Sequence, residues 1–435
     1  MQNHEPIYDV RSLGAGKTLI LGLQHTFAMF GATVLVPILT GLPISTTLLF
    51  AGLGTLLFHL LTKGQVPAFL GSSFAFLGGY AAVAPLMEDG SPNTEMLPYA
   101  CGGVFCAGLV YLILSALIKG FGARKIMRFF PPVVTGPIII AIGLILAPTA
   151  IKNCATNWPI AIIALVTVVF FNIWGRGMAK IVPILLGIIV SYAAAILMGD
   201  VSFEGIGDTA ILGLPPITLM KFDISAIITI MPLALATMME HIGDISAIGA
   251  TTGKNYIAEP GLHRTLLGDG LATCLAAAFG APANTTYGEN TGVLALTKVY
   301  DPRVMRIAAV FAIILSCVPK VAFVIESIPT ATIGGISFIL YGMISAIGIR
   351  NVVENHVDFT RSRNTIIAAL ILVCALGFNS IGGISFTIAG ATISLSGLAI
   401  ASLVGIIVNA VLPGNEYVFP EDVKDNNDKF QTYKL

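Results

Sequence analysis

The sequence predicts an all-α polytopic membrane protein of fourteen transmembrane segments in two inverted seven-span repeats, and three observations carry that prediction. Of 435 residues, 56% are hydrophobic and only 11% charged, against about 25% charged in soluble domains. Apolar runs long enough to cross ~30 Å of hydrocarbon recur along the whole length. Threading those runs through a bilayer also sorts the basic residues onto one side, the side that faces the cytoplasm.

Taken in order, the predicted spans are 18–40, 44–61, 66–85, 97–118, 131–149, 158–174, 181–198, 224–247, 264–279, 284–298, 304–325, 330–348, 364–379 and 388–412. With the N-terminus inside, twenty of the 23 Lys and Arg fall in inner segments, leaving Lys152 and Lys221 outside and Lys320 within a span. The outer loops are instead acidic, with Glu88, Asp89, Glu95, Asp200, Glu204, Asp208 and Asp223. Both termini, 1–17 and 413–435, are therefore expected in the cytoplasm, and the protein in the plasma membrane. Residues 1–17 are polar and the first apolar run is too long for a signal-peptide core, so no cleavable leader is expected.

Acids and bases balance at 23 each, so net charge says nothing about nucleic acid, and no nucleic-acid partner is expected. The six cysteines (101, 106, 154, 274, 317 and 374) form no metal-like pair and read as small apolar side chains. No hydrolase triad, Walker loop or Cys/His cluster is present, so neither enzyme chemistry nor a cofactor is expected. Energy for any transport must then come from an ion gradient, with H⁺ expected and Na⁺ the alternative.

Halving the chain exposes a repeat. Gln24-His25 in the first span recurs as Glu240-His241 in the eighth, 216 positions later, and Pro67-Ala68 recurs as Pro282-Ala283, 215 positions later. Seven spans per copy is odd, so the second copy enters the membrane from the opposite side. Both the third span and the tenth (PANTTYGENTGVLALTK, 282–298) are interrupted by Pro and Gly. Broken segments at matching places in two halves point to a substrate site near mid-membrane. Unwound backbone is tolerated there only when buried in protein or lining a cavity.

Few ionisable groups lie deep in the spans: His25, His59, Glu240, His241, Asp244, Asp269, Glu289 and Lys320. Each costs about 2.5–3.5 kcal/mol at a span centre on insertion scales and needs a partner or a task. Glu240 and Asp244 stand at i and i+4, one turn apart on one face. Their mutual repulsion and their burial both disfavour two charges, which suits them to carrying a proton. Glu289, in the broken tenth span beside Gly288, reads as a substrate ligand. His241 projects about 100° from Glu240 on a 3.6-residue turn and reads, like His25 beside Gln24, as holding helices together. Phe74, Phe76, Tyr287 and Tyr341 are aromatic candidates for stacking on a flat ring, Phe74 and Tyr287 being inside the broken segments.

At this point the chain resembles the nucleobase–ascorbate transporter family, and within it the bacterial uracil permeases. The resemblance rests on Glu289-Asn290-Thr291-Gly292 running to Thr297-Lys298, on its context TTYGEN, and on LQHTFAMFGATVLVP at 23–37. Further matches are PAFLGSSFAF at 67–76, Glu240-His241, PGLHR at 260–264 and GGISFILYG at 334–342. It implies a core domain of spans 1–4 and 8–11 (18–118 and 224–325) and a gate domain of spans 5–7 and 12–14 (119–198 and 330–412). It also implies a short strand in each of spans three and ten. Residue by residue, it makes Glu240 and Glu289 the base-binding carboxylates and Phe74 the stacking ring. Gly288 matches a backbone contact, and Ala32, Tyr287, Ser337 and Tyr341 match positions near the site. Asp244 and His241 are assigned with Glu240 to proton coupling, and Gln24, His25, Asn290 and Thr297 to support of the site. Proton symport of a nucleobase and a homodimer through the gate domains are expected. The chain departs from the uracil pattern at EHIGD, where Asp244 stands in place of His. That leaves xanthine as the alternative base. An anion exchanger or channel is disfavoured, because no basic residue lies within 66–85 or 282–297.

Overall fold

The computed structural model describes residues 5–414 except 86, 88–90, 123–124, 126–127 and 389–390. The expectations for Glu88, Asp89 and Arg124, and for nearly all of the tail 413–435, lie outside the described residues. Helix α1 (Ala15–Thr40) and α2 (Ile44–Leu61) lead to a break in which strand β1 (Leu70–Ser72) and a 3-10 turn precede the short α3 (Leu77–Val83). There follow α4 (Leu97–Phe121), α5 (Pro132–Cys154), α6 (Trp158–Trp174) and α7 (Pro183–Met198). The second half has α8 (Ile224–Ile230), α9 (Leu233–Thr252) and α10 (Leu262–Ala278), then β2 (Asn284–Thr286) and α11 (Gly288–Thr297). The chain continues through α12 (Arg303–Ser316), α13 (Pro319–Glu326), α14 (Thr330–Glu354) and α15 (Ser362–Ser380). A hairpin of β3 (Ile384–Ile388) and β4 (Ala391–Leu395) precedes α16 (Gly397–Val411).

By length and composition, seven of these segments suffice to cross a membrane, or eight if the bent pair α12–α13 is one span. The molecule is a multi-pass, mostly helical membrane protein. Within it α4 packs on α10, α2 on both α12 and α10, and α1 on α12, while α14 packs on α5 and α6. Helix α6 pairs with α7, and α15 with α16.

Three expectations need correction. The run 304–325 is not one straight span: α12 and α13 meet at 84°, because Pro319 cannot continue the hydrogen-bond ladder. Lys320 therefore opens a separate short helix instead of lying mid-span. The last span does not begin at residue 388, since 384–395 form an antiparallel hairpin and the helix starts only at Gly397. The fold is thus not all-α even beyond the expected short strands.

Those short strands pair with each other. β1 and β2 run antiparallel with Leu70 opposite Thr286, Gly71 opposite Thr285 and Ser72 opposite Asn284. Ser73 N–H donates to Ala283 O and Tyr287 N–H to Phe69 O, both at 2.9 Å, extending the ladder. Two three-residue strands leave many edge groups, and neighbouring helices satisfy them as an apolar interior requires. Thr55 of α2 both donates to Leu70 O (3.1 Å) and accepts from Leu70 N–H (2.9 Å). His59 Nε2 lies 2.8 Å from Ala68 O, and Thr273 of α10 donates to Asn284 O at 2.6 Å.

Gly54 is glycine for close approach. Asn284 Nδ2 passes over it to reach Phe50 O (2.8 Å), and a Cβ there would collide with that amide while lying 3.1 Å from Ala272 Cβ. Gly54→Ala should destabilise by about 1–3 kcal/mol, as overpacking does. Thermal unfolding in detergent reads it, and an unchanged midpoint would show that Asn284 has room to retreat.

Candidate functional site

Two helices begin where the strand pair ends. The 3-10 turn Phe74–Phe76 leads into α3, and α11 starts at Gly288, one residue past β2 plus Tyr287. Neither start carries a side-chain cap: Ser73 and Tyr287 make no such bond. Neither cap residue therefore supplies a side-chain acceptor to the first-turn N–H groups, and helix N-termini carry partial positive charge. Phe74 and Glu289 occupy the matching first-turn positions, 215 residues apart. Phe74 is buried, Gly288 exposed and Glu289 half-buried.

Helix α9 packs against α11 and brings Glu240 and Asp244, both half-buried, to the same place. Asp244 Oδ1 lies 3.2 Å from where a Cβ on Gly288 would sit. Glu240, Asp244, Glu289 and the fully buried Asp269 of α10 fall within electrostatic reach of one another. This is a cluster of carboxylates with no Lys or Arg among them.

Behind the carboxylates lies a buried polar shell. His241 turns away from Glu240, its Nδ1 lying 2.9 Å from Thr286 Oγ1 and 3.4 Å from Asp269 Oδ1. Thr286 also donates to Asp269 Oδ1 at 3.4 Å. On the other side Asn290 Nδ2 donates to His25 Nδ1 (3.1 Å) and His25 O (3.2 Å), tying α11 to α1. The His25, His241 and Asp269 side chains are 0% exposed. Among the described residues, His25 Nε2, His241 Nε2 and Asn290 Oδ1 have no hydrogen-bond partner.

The remaining sequence candidates divide. Tyr287 is buried, its O–H donates to Ser72 O (2.9 Å), and the hydroxyl oxygen accepts from Thr33 (3.3 Å). Its ring covers Gly71, whose Cβ would come within 2.5 Å of it. Its hydroxyl is spent on joining β1 to α1. Ala32 is buried, with its carbonyl 3.4 Å from Ser72 Oγ. Gln24 is half-buried on α1. Thr297 closes α11, donating to Val293 O (2.9 Å) and accepting from Val299 N–H (3.3 Å). Ser337 and Tyr341 are buried one turn apart on α14, which packs on α5.

Sequence reasoning missed Thr33, Ser72 and Thr286 altogether and found no partner for Asp269. Ser72 did carry a signal: it stands 215 positions before Tyr287, its bonding partner. A cleft of about 20 Å³ between Ala75, Gly78, Ile142, Leu146, Leu233 and Leu398 has room for about one water. A cavity of about 600 Å³ lies elsewhere, against Tyr8, Lys254, Asp301 and Arg306.

A sequence profile described as the Permease family matches residues 16–384. The chain belongs to that family. This permease is 39% identical to the uracil permease of Bacillus caldolyticus, over 97% of its own length and 99% of the relative's. It is 38% identical to the uracil permease of Escherichia coli (strain K12), covering 94% of each chain. These relatives are permeases and not enzymes. The permease's structure is similar to the transmembrane domain of a cyanobacterium bicarbonate transporter, with a TM-score of 0.64. The match covers 93% of this chain and 98% of that one at 18% identity. At that identity the likeness is one of fold alone.

Proposed function

We propose that this permease takes up a nucleobase, uracil, by proton symport with alternating access. The observation that carries the reading is the convergence of two uncapped half-helix starts, bearing Phe74 and Glu289 at matched positions, on Glu240 and Asp244. Uracil has ring N–H donors for Glu240 and Glu289, carbonyls for first-turn N–H groups, and a flat face for Phe74. Hydrogen bonds to ionised acceptors are the strong kind. The relatives named uracil permease support the same base.

Fourteen spans in two inverted repeats, with core and gate domains, give this chemistry its mechanical frame. Ser72 bonds Tyr287, and Thr135 accepts from Asn351 Nδ2 (3.0 Å), pairs offset by 215 and 216 residues. Residues beside a pseudo-two-fold axis meet their own counterparts in this way. A seven-span shift likewise exchanges the packing of α2 on α12 with that of α4 on α10. Both termini lie in the cytoplasm, the protein resides in the plasma membrane, and two copies pair through their gate domains.

In the transport cycle Glu240, coupled to Asp244 and braced through His241, takes a proton from outside. Neutralising that cluster lets the loaded core move against the gate, and loss of the proton inside releases the base. Gly288 and Glu289 hold the substrate, Ala32, Ser337 and Tyr341 line its surroundings, and Gln24, His25, Asn290 and Thr297 brace the half-helices. Xanthine is the second reading, favoured by Asp244 packed at Gly288, where the uracil pattern has His.

Counterflow of labelled uracil in proteoliposomes, with unlabelled uracil, xanthine, uric acid and thymine as competitors, tests the proposal. Uracil should compete best. Xanthine displacing the label more strongly than unlabelled uracil would transfer the assignment to purines, and no counterflow of the label would reject uracil as the carried base.

A further inference from the structure

Residues 7–10, ahead of α1, are tied to the ends of other helices. Ile7 N–H donates to Lys298 O (2.9 Å) and Tyr300 N–H donates to Ile7 O (2.8 Å), a parallel bridge laid along the chain just past α11. Tyr8 O–H donates to Thr252 O (2.7 Å), the last carbonyl of α9, while its ring meets Tyr300 edge-on at 5.5 Å. Lys254 Nζ lies 4.8 Å over the Tyr8 ring. Val10 is 2% exposed, and its N–H donates to Asp301 Oδ2 (2.9 Å). Asp9 pairs with Arg303 at 2.9 Å, at the first residue of α12. The Arg11 backbone N–H and then the Arg303 guanidinium hold the Asp9 carboxyl below its ordinary range, so it is charged at neutral pH.

One short segment thus joins the ends of α9 and α11, the two helices whose other residues are Glu240, Asp244 and Glu289. Helices transmit displacement along their axes as stiff rods, 1.5 Å of rise per residue. Eight residues separate Glu289 from Thr297, and twelve separate Glu240 from Thr252. A partly exposed surface ion pair such as Asp9–Arg303 contributes little stability. The Ile7 bridge and the Tyr8 hydroxyl, by contrast, satisfy backbone groups that helix ends leave open.

We propose that residues 7–10 are a positioning clasp that sets the separation of α9 and α11, and through it the spacing of Glu240 and Glu289 across the substrate. The proposal rests on the assignment of those two carboxylates to the substrate. Tyr8 acts through the helices and touches no substrate.

Tyr8→Phe removes the bond to Thr252 O and keeps the ring. Amide hydrogen exchange of the substrate-free, full-length protein in nanodiscs should accelerate at 248–253. It should also accelerate at 288–294, by about fivefold, what one net hydrogen bond is worth. Acceleration that stops at 248–253, with 288–294 at the wild-type rate, overturns the clasp. This readout needs no transported base, so it stands apart from the uracil assignment. In proteoliposomes the same variant should raise KM for uracil about fivefold with little change in maximal rate, the signature of weakened binding. A fall in maximal rate at unchanged KM would contradict it.

Discussion

Replacing Glu289 with alanine should abolish uracil binding. The side chain stands in the first turn of α11, and Asn290 beside it ties that helix to His25 without involving the carboxylate. Removing the carboxylate therefore leaves the support of the half-helix intact. Truncating one partner of a buried charged hydrogen bond costs about 2–5 kcal/mol, or at least about thirtyfold in Kd. Calorimetric titration of the purified variant reads this, with thermal unfolding as the check on folding. A variant that folds and binds uracil with wild-type affinity would remove Glu289 from the site.

The second large effect is expected at Glu240. Glutamine keeps the shape of the side chain and one acceptor oxygen but cannot take up and release a proton. Gradient-driven accumulation of uracil by Glu240→Gln in proteoliposomes should fall to the level of protein-free vesicles, while binding weakens far less than in Glu289→Ala. Glu240 is not bonded into the shell formed by His241, Asp269 and Thr286, so the substitution leaves that shell in place. Undiminished accumulation under an inward proton gradient would show that the coupling ion is carried elsewhere.

How much of this was legible in the sequence depends on the range of the interaction. Membrane embedding follows from composition. The breaks at Pro67–Gly71 and Pro282–Gly288 follow from residues that cannot hold a helix, and the structure puts β1 and β2 there. The partnership of those strands did not follow: all six strand residues are buried. They show no alternation, and their register is fixed by Thr55, His59 and Thr273 reaching in from other helices. Asp269 was visible as an expensive carboxylate, but its neighbours His241 and Thr286 lie 28 and 17 residues away.

Two local signals were present and overridden by hydropathy. Pro319 marks the bend between α12 and α13. The alternation ISFTI and ATISL, after Gly382-Gly383, has the period of two that builds the β3–β4 hairpin. Average apolarity measures affinity for lipid, and it is blind to whether the backbone coils or extends.

The pairing of β1 with β2 also bears on how the protein is made. Residues 70–72 leave the ribosome 212 positions before Asn284, roughly ten to forty seconds earlier at ordinary elongation rates. Throughout that interval the nascent first half holds an unpaired strand at the depth of the hydrocarbon. Its edge groups must be sheltered by the translocon, a chaperone or neighbouring helices. A chain terminated anywhere before residue 284 carries that open edge permanently, so the first half of the gene does not encode a self-sufficient product. The order of synthesis leaves the β1–β2 pair unmade until residue 284 of 435 has been added.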